Sequence, residues 1–133
     1  MQVADLMQTN VKSITPDAPI VDLVHMLADL RVSGLPVVDE SAHVIGVVSA
    51  ADVLREAAGL TVPSAKSRTL ARESVRDIMT PNAHVIAPDA DVREAAKQMM
   101  HADVRRLFVE DQGRMIGVIS QTDIANAVGT GQL

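Results

Sequence analysis

The heptapeptide GVVSAAD at residues 46–52 recurs later in the chain as GVISQTD at residues 117–123. An apolar β-branched run precedes each heptapeptide, and a run without turn residues follows it. This pattern predicts a strand that passes directly into a helix. The agreement extends outward: LPVVD from Leu35 matches LFVED from Leu107, ITPDAPI from Ile14 matches IAPDADV from Ile86, and VADLMQTN from Val3 matches VRDIMTPN from Val75. The chain therefore contains two copies of one unit, which is the signature of an internally repeated fold.

Each copy predicts the same order of elements. A short helix (residues 3–7 or 75–79) leads into an extended stretch that ends at Ile14 or Ile86. An amphipathic helix follows at 20–30 or 92–102, and in the first copy its apolar stripe consists of Ile20, Leu23, Val24, Leu27 and Leu30. Pro19 suits the first turn of that helix. Two strands, at 35–38 and 44–48 in the first copy, then precede closing helices at 50–58 and 121–128, with Gly59 and Gly129 as the signals that end them.

The domain organisation follows from the repeat. Copy one covers residues 1–59, copy two covers 75–133, and the polar, basic segment 60–74 is predicted to link them. A two-stranded hairpin with helices on one face cannot bury that face alone. We therefore expect an α/β fold in which two βαββα-type copies pack sheet to sheet about a pseudo-two-fold axis and form one globular module.

Composition excludes several classes of function. The net charge is −5, and Phe108 is the only aromatic residue, so the chain lacks the basic surface and stacking side chains that nucleic-acid binding requires. The absence of Cys excludes disulfides and thiolate metal sites. No apolar run approaches membrane-spanning length, and the first ten residues do not resemble a signal peptide. We expect a cytoplasmic protein that binds neither nucleic acid nor membrane.

The Ser and Asp of the two heptapeptides have two interpretations. Ser49 and Ser120 stand where a strand becomes a helix, and Asp follows three residues later, which is the spacing of a capping box. The same spacing also places a carboxylate where it can accept hydrogen bonds from both hydroxyls of a ribose. Asp52 and Asp123 are therefore either helix caps or ribose ligands.

The doubled stretches LPVVDESAHVIGVVSAAD and LFVEDQGRMIGVISQTD resemble tandem CBS (cystathionine β-synthase) domains, over essentially the whole chain. The resemblance implies that Ser and Asp of each motif contact the ribose and phosphate of a nucleotide. It also implies that the base lies against the first extended stretch and the start of the second strand. The implied ligand-binding residues are Asn10, Val11, Lys12, Val32, Gly34, Pro36, Ser49 and Asp52 in copy one, and Asn82, Ala83, His84, Val104, Arg106, Phe108, Ser120 and Asp123 in copy two.

Basic residues before the second strand meet phosphates in nucleotide-binding members of that family, and Arg31, Arg105 and Arg106 are the matching candidates here. Copy two departs from the pattern at two positions. Phe108 replaces the Pro36 of copy one, and is either a core residue or a side chain that narrows the cleft or stacks on the base. Glu110 replaces Val38, and adds negative charge near the second cleft.

Metal and catalytic sites are not predicted. The four His residues, 25, 43, 84 and 101, lack ligand spacing, and neither Ser49 nor Ser120 has a neighbouring His to activate it. Together with the Ser-x-x-Asp motifs, the resemblance implies a regulatory module, without a catalytic cofactor, that binds AMP, ADP or ATP between its two copies. S-adenosylmethionine and dinucleotides stay open as ligands. The resemblance implies a homodimer, and the regulated protein is unknown. The alternative is a ligand-free module for dimerisation or protein docking.

Overall fold

Two successions of helices and strands follow one another in the computed structural model, which describes residues 1–59 and 73–133. Residues 60–72, most of the predicted linker, lie outside the described residues. The helices are α1 (Val3–Leu6), α2 (Ile20–Leu30), α3 (Ala50–Ala57), α4 (Val75–Ile78), α5 (Val92–Ala102) and α6 (Gln121–Gly129). The strands are β1 (Gly34–Val38), β2 (Val44–Ser49), β3 (Thr80–Pro81), β4 (Val85–Ile86), β5 (Arg106–Asp111) and β6 (Arg114–Ser120). The predicted α/β class and the doubling of the fold are confirmed.

The chain divides into two compact units, and each unit contains segments of both sequence copies. The first-hairpin unit consists of Lys12–Glu40 and Ile45–Asn82. The second-hairpin unit consists of Met1–Val11, Ser41–Val44 and Ala83–Leu133. Helix α4 of copy two therefore belongs to the unit of the first hairpin, and helix α1 of copy one belongs to the unit of the second.

The first-hairpin unit is built on a sheet of order β1-β2-β3. Strand β3 pairs antiparallel with β2, with Pro81 opposite Gly46. Ile14 adds a parallel bridge to Val37 on β1, at the end of the predicted extended stretch. The side chains that close the core are aliphatic, and they come from both sequence copies: Ile14, Ile20, Leu23, Leu27, Leu35, Val37, Val48, Val75 and Ile78.

The second-hairpin unit repeats this plan with a sheet of order β4-β5-β6. Strand β4 runs parallel to β5, with Val85 opposite Phe108, and β5 pairs antiparallel with β6. Gln8 bridges Val118 on β6, in the place that β3 takes beside β2. The core again draws on both copies: Val3, Ile86, Ala95, Met99, Leu107, Val109 and Ile119.

Helices α2 and α5 have the predicted bounds, but the predicted stripe on α2 is only partly buried. Ile20, Leu23 and Leu27 face the core, whereas Val24 is 43% exposed and Leu30 is 36% exposed. At helical spacing, Val24 and Leu30 lie on the two sides of the face formed by Ile20, Leu23 and Leu27, so they are the least buried positions of the stripe. Pro19 is the residue before the helix and not part of its first turn.

The C-terminal signals differ between the two closing helices. Gly59 has the positive φ of 71° expected just beyond α3. Gly129 was expected to end α6, but it is the last helical residue, and Gly131 has the positive φ of 78° instead. The sequence pattern fits either glycine. Thr130 N–H donates to the Asn126 carbonyl and Gln132 N–H donates to the Ala127 carbonyl, so the turn continues past Gly129 and Gly131 is the glycine with positive φ.

Candidate functional site

The N-terminus of α3 carries the Ser49–Asp52 pair of the first heptapeptide. Ser49 has extended backbone, with φ −138° and ψ 168°, because it is the last residue of β2 as well as the residue before the helix. Its N–H donates to Asp52 Oδ2 over 2.8 Å, and its hydroxyl donates to the same oxygen over 3.1 Å. Asp52 N–H in turn lies 3.3 Å from Ser49 Oγ. The predicted capping box is therefore present.

The other carboxylate oxygen of Asp52 is bound by a cation. Arg55, one turn further along α3, donates from Nη2 to Asp52 Oδ1. The side chain of Asp52 is only 6% exposed, while that of Arg55 is 51% exposed. The carboxylate is thus fixed by its neighbours on one oxygen and by an ion pair on the other.

The second heptapeptide forms the same box at the start of α6 but ends in a different partner. Ser120 N–H donates to Asp123 Oδ2 over 2.8 Å, and Asp123 N–H donates to Ser120 Oγ over 3.1 Å. Asp123 Oδ1 accepts from the amide Nε2 of Gln8 over 3.0 Å. Asp123 is half-buried. The outer oxygen of this carboxylate is therefore held by a neutral side chain and not by a cation.

The glycines of the two heptapeptides have a packing role that the sequence reading did not identify. A Cβ on Gly46 would lie 2.7 Å from the carbonyl oxygen of Thr80, and a Cβ on Gly117 would lie 2.7 Å from that of Gln8. Glycine is thus required because a segment from the other sequence copy lies directly against each strand. The signal was visible as a glycine in mid-strand, three residues before each Ser.

The predicted base-binding residues are divided between the two compact units. Asn10 and Asn82 occupy matching positions and both have left-handed backbone, with φ 59° and 61°, which Asn tolerates better than most residues. The second-hairpin unit holds Asn10, Val11, Ala83, His84, Val104, Arg106, Phe108, Ser120 and Asp123, and the first-hairpin unit holds Lys12, Val32, Gly34, Pro36, Ser49, Asp52 and Asn82. Each unit therefore contains most, but not all, of the ligand-binding residues that the resemblance implies for one copy.

The three phosphate candidates are exposed, but they are not in equivalent places. Arg31 ends α2 in left-handed conformation (φ 54°), and its counterpart at the end of α5 is Asp103 (φ 55°). Arg106 is the first residue of β5, and it lies opposite Ser120 in the register of the hairpin. The Arg105 carbonyl accepts from Gln121 N–H over 2.9 Å. In copy two, cationic side chains therefore extend from the backbone beside the Ser-x-x-Asp motif.

The two departures in copy two have structural explanations. Phe108 is buried, at 4% exposure, on the face of β5 opposite to Leu107 and Val109. Glu110 follows a β-bulge, and its Oε2 accepts from Val44 N–H over 2.7 Å and pairs with His43 Nδ1 over 2.9 Å. The charge of Glu110 thus anchors the segment Ser41–Val44, a partner that sequence spacing did not reveal.

Over the described ranges 1–59 and 73–133, no three His, Cys, Asp or Glu residues are grouped so that they could hold a metal ion. Within the same ranges, no helix is both long and apolar enough to cross a membrane.

Comparison with known families identifies the repeat. The sequence profile described as the CBS domain matches residues 3–59 and again residues 75–130. The chain belongs to the CBS domain family. The resemblance found in the sequence is thereby confirmed.

Several known proteins are similar to this chain over most of its length. The structure of CBSX2, an Arabidopsis thaliana protein, in complex with AMP superposes with a TM-score of 0.83 at 27% identity, and covers 99% of this chain and 98% of that one. An uncharacterized protein of Methanocaldococcus jannaschii is 24% identical over 96% of this chain and 91% of its own length. The gamma subunit of the 5'-AMP-activated protein kinase of Saccharomyces cerevisiae is 30% identical over 88% of this chain, which spans 37% of that subunit.

Proposed function

We propose that this chain is a regulatory module without catalytic activity, which binds an adenine nucleotide, AMP, ADP or ATP, through its two Ser-x-x-Asp motifs. The observation that carries the proposal is the state of the two carboxylates. Each has one oxygen fixed by the backbone of its own capping box, and a second oxygen that accepts from a side chain, Arg55 or Gln8. A side chain can be replaced by a ligand hydroxyl without unfolding the helix that positions the carboxylate.

The chemistry suits a ribose. Its two neighbouring hydroxyls are donors, and an ionised carboxylate is an acceptor with room for more than one hydrogen bond on each oxygen. The phosphate of the nucleotide is repelled by the same carboxylates, so it is directed toward cations. In copy two, Arg106 is the candidate, because it lies across the hairpin from Ser120.

The likeness to CBSX2 supports the choice of ligand. That protein is crystallised with AMP, and its fold matches this chain from end to end. The regulatory output is proposed to follow from linkage: a ligand that binds one arrangement of the module more tightly shifts the population toward it. The exposed Val21 and Val24 on α2 offer an apolar surface for a homodimer through which such a shift reaches a regulated protein.

The proposal is tested by thermal unfolding with AMP, ADP, ATP, NAD and S-adenosylmethionine. A ligand at one hundred times its dissociation constant stabilises the folded state by about 2.7 kcal/mol. The double variant Asp52→Ala, Asp123→Ala is expected to lose this response. The matched control is Asp5→Ala, Asp77→Ala, which removes the equivalent carboxylates from the capping boxes of α1 and α4 and is expected to keep it.

The second candidate, a ligand-free module for dimerisation or docking, is favoured by one observation. Both carboxylates turn one oxygen into local N–H groups, and Asp52 is buried, as a purely structural cap would be. This candidate predicts that no ligand of the panel raises the unfolding midpoint of the wild-type protein, whereas both double variants lower it through loss of their caps. A midpoint that stays unchanged across the whole panel would establish it over the nucleotide sensor.

A further inference from the structure

The two copies differ in what holds the outer oxygen of the motif carboxylate. At Asp52 it is the guanidinium of Arg55, and at Asp123 it is the amide of Gln8. The residue that follows Asp123 at the spacing of Arg55 is Asn126, which carries no charge. The two sites are therefore distinct although their motifs are the same.

The difference in charge has an energetic consequence. Both bonds have a carboxylate acceptor, but only the bond at Asp52 also has an ionised donor, so it is the stronger of the two. An incoming hydroxyl must displace Arg55 from Asp52 and leave two ionised groups to find new partners, one of them on a nearly buried side chain. At Asp123 it displaces only an exposed amide, which water can solvate at once.

The number of acceptor positions in use points the same way. Among the described residues, Asp52 accepts from Ser49 N–H, from Ser49 Oγ and from Arg55. Asp123 accepts from Ser120 N–H and from Gln8. Asp123 thus has more of its acceptor capacity left for a ribose, and it is also the more exposed of the two.

We infer that Arg55 acts as an internal competitor for the ribose position of copy one, so that the chain binds one nucleotide at Asp123 before it binds any at Asp52. This inference rests on the proposed function and specifies its regulation: copy two is the primary site, and copy one opens only when Arg55 leaves Asp52. Arg55 acts on the ligand only indirectly, through its bond to the Asp52 carboxylate.

The experiment is isothermal titration of AMP into the full chain. The wild-type protein is expected to bind one AMP per chain in the high-affinity event, and Asp123→Asn is expected to abolish that event. Arg55→Gln, which gives Asp52 an amide partner like that of Asp123, is expected to add a second AMP per chain. The reciprocal variant Asn126→Arg is expected to weaken binding at Asp123 about tenfold, the effect of one charge-assisted hydrogen bond.

Two controls separate this effect from a general loss of charge or of fold. Arg76→Gln removes a guanidinium from an exposed pair with Asp17 in the same unit, and is expected to leave the stoichiometry at one. Arg55→Ala, checked by circular dichroism, repeats the test without the amide, so that the result does not depend on how a single variant folds.

The possible outcomes separate a failure of this inference from a failure of the proposed function. Two equal AMP sites in the wild-type protein would overturn the role of Arg55 and leave the nucleotide sensor standing. A single event that survives Asp123→Asn and is lost in Asp52→Asn would also overturn it, as would binding seen only after Arg55 is replaced, because Asp123 would then not be the primary site. If AMP, ADP, ATP, NAD and S-adenosylmethionine all fail to bind the wild-type protein and both Arg55 variants, the proposed function itself fails.

Discussion

Gln8 and Asp123, which are 115 residues apart in the sequence, are joined by a hydrogen bond of 3.0 Å between Gln8 Nε2 and Asp123 Oδ1. Two backbone hydrogen bonds to Val118, of 2.8 and 3.0 Å, hold the backbone of Gln8 in place. The side chain therefore extends from a fixed position. The candidate ribose ligand of copy two is therefore completed by a residue from the start of copy one.

Gln8→Ala is expected to tighten AMP binding several-fold, because it removes the donor that competes with the ribose for Asp123 Oδ1. The free energy of unfolding should fall by about 0.5–1 kcal/mol, the net contribution of one hydrogen bond between exposed groups. Titration calorimetry and urea denaturation measure the two effects, and Gln132→Ala, near the end of the chain, serves as the control. Weaker binding would mean that Gln8 contacts the ligand itself.

Gly46→Ala and Gly117→Ala are each expected to destabilise the protein by about 1–3 kcal/mol, since the new methyl group overlaps a backbone carbonyl that cannot move independently of its strand. Gly129→Ala is the matched control. It lies in α6, its Cβ would meet nothing within 4 Å, and alanine favours a helix by about 0.5–1 kcal/mol over glycine. Thermal unfolding that ranks all three variants alike would contradict the packing role of the motif glycines.

Glu110→Val introduces into copy two the residue type that copy one carries at Val38. It is expected to cost about 1–3 kcal/mol in urea denaturation, because the N–H of Val44, a buried residue, loses the carboxylate that accepts from it. His43→Ala, which removes a half-exposed partner of the same carboxylate, should cost at most about 1 kcal/mol. The exposed Glu40→Ala serves as the reference variant, with a change within about 0.5 kcal/mol. Equal effects of Glu110→Val and Glu40→Ala would show that the anchor of Ser41–Val44 contributes nothing.

Leu23→Ala and Leu107→Ala test the two cores separately. Both side chains are fully buried, one in each core, and each truncation is expected to cost about 2–5 kcal/mol by leaving a cavity. Leu54→Ala, at a leucine that is 70% exposed on α3, should change the free energy of unfolding by less than about 0.5 kcal/mol. Differential scanning calorimetry checks all three. A cost at Leu54 comparable to that at Leu23 would indicate that α3 is covered by another molecule in solution.

Much of the fold could be predicted from the sequence, because the repeat shows the pattern of each element twice. The bounds of α2 and α5 agree with the apolar periodicity, and both capping boxes follow from the spacing of Ser and Asp. Local interactions determine such features, and local interactions leave a pattern in the sequence.

The rest depends on contacts between distant segments. Nothing in the residues around Val3 distinguishes a place in the first core from a place in the second, since a four-residue helix with one buried aliphatic side chain fits either one. The side chains that bind Asp52 and Asp123 are likewise determined by the folded structure. Arg55 is a near neighbour that the spacing of the capping box does not single out, and Gln8 reaches its acceptor only through a long-range bridge to Val118.

The division of the chain into units that each use both copies sets the order in which the protein can be completed during synthesis. The first-hairpin unit needs residues up to Asn82, so it cannot close when copy one alone has left the ribosome. Residues 1–11 belong to the second-hairpin unit, and their own core does not exist until residues 83–133 have been synthesised. Val3 and Leu6 are thus without their native neighbours until copy two has been synthesised, and a nascent chain halted after copy one lacks a complete core of either kind.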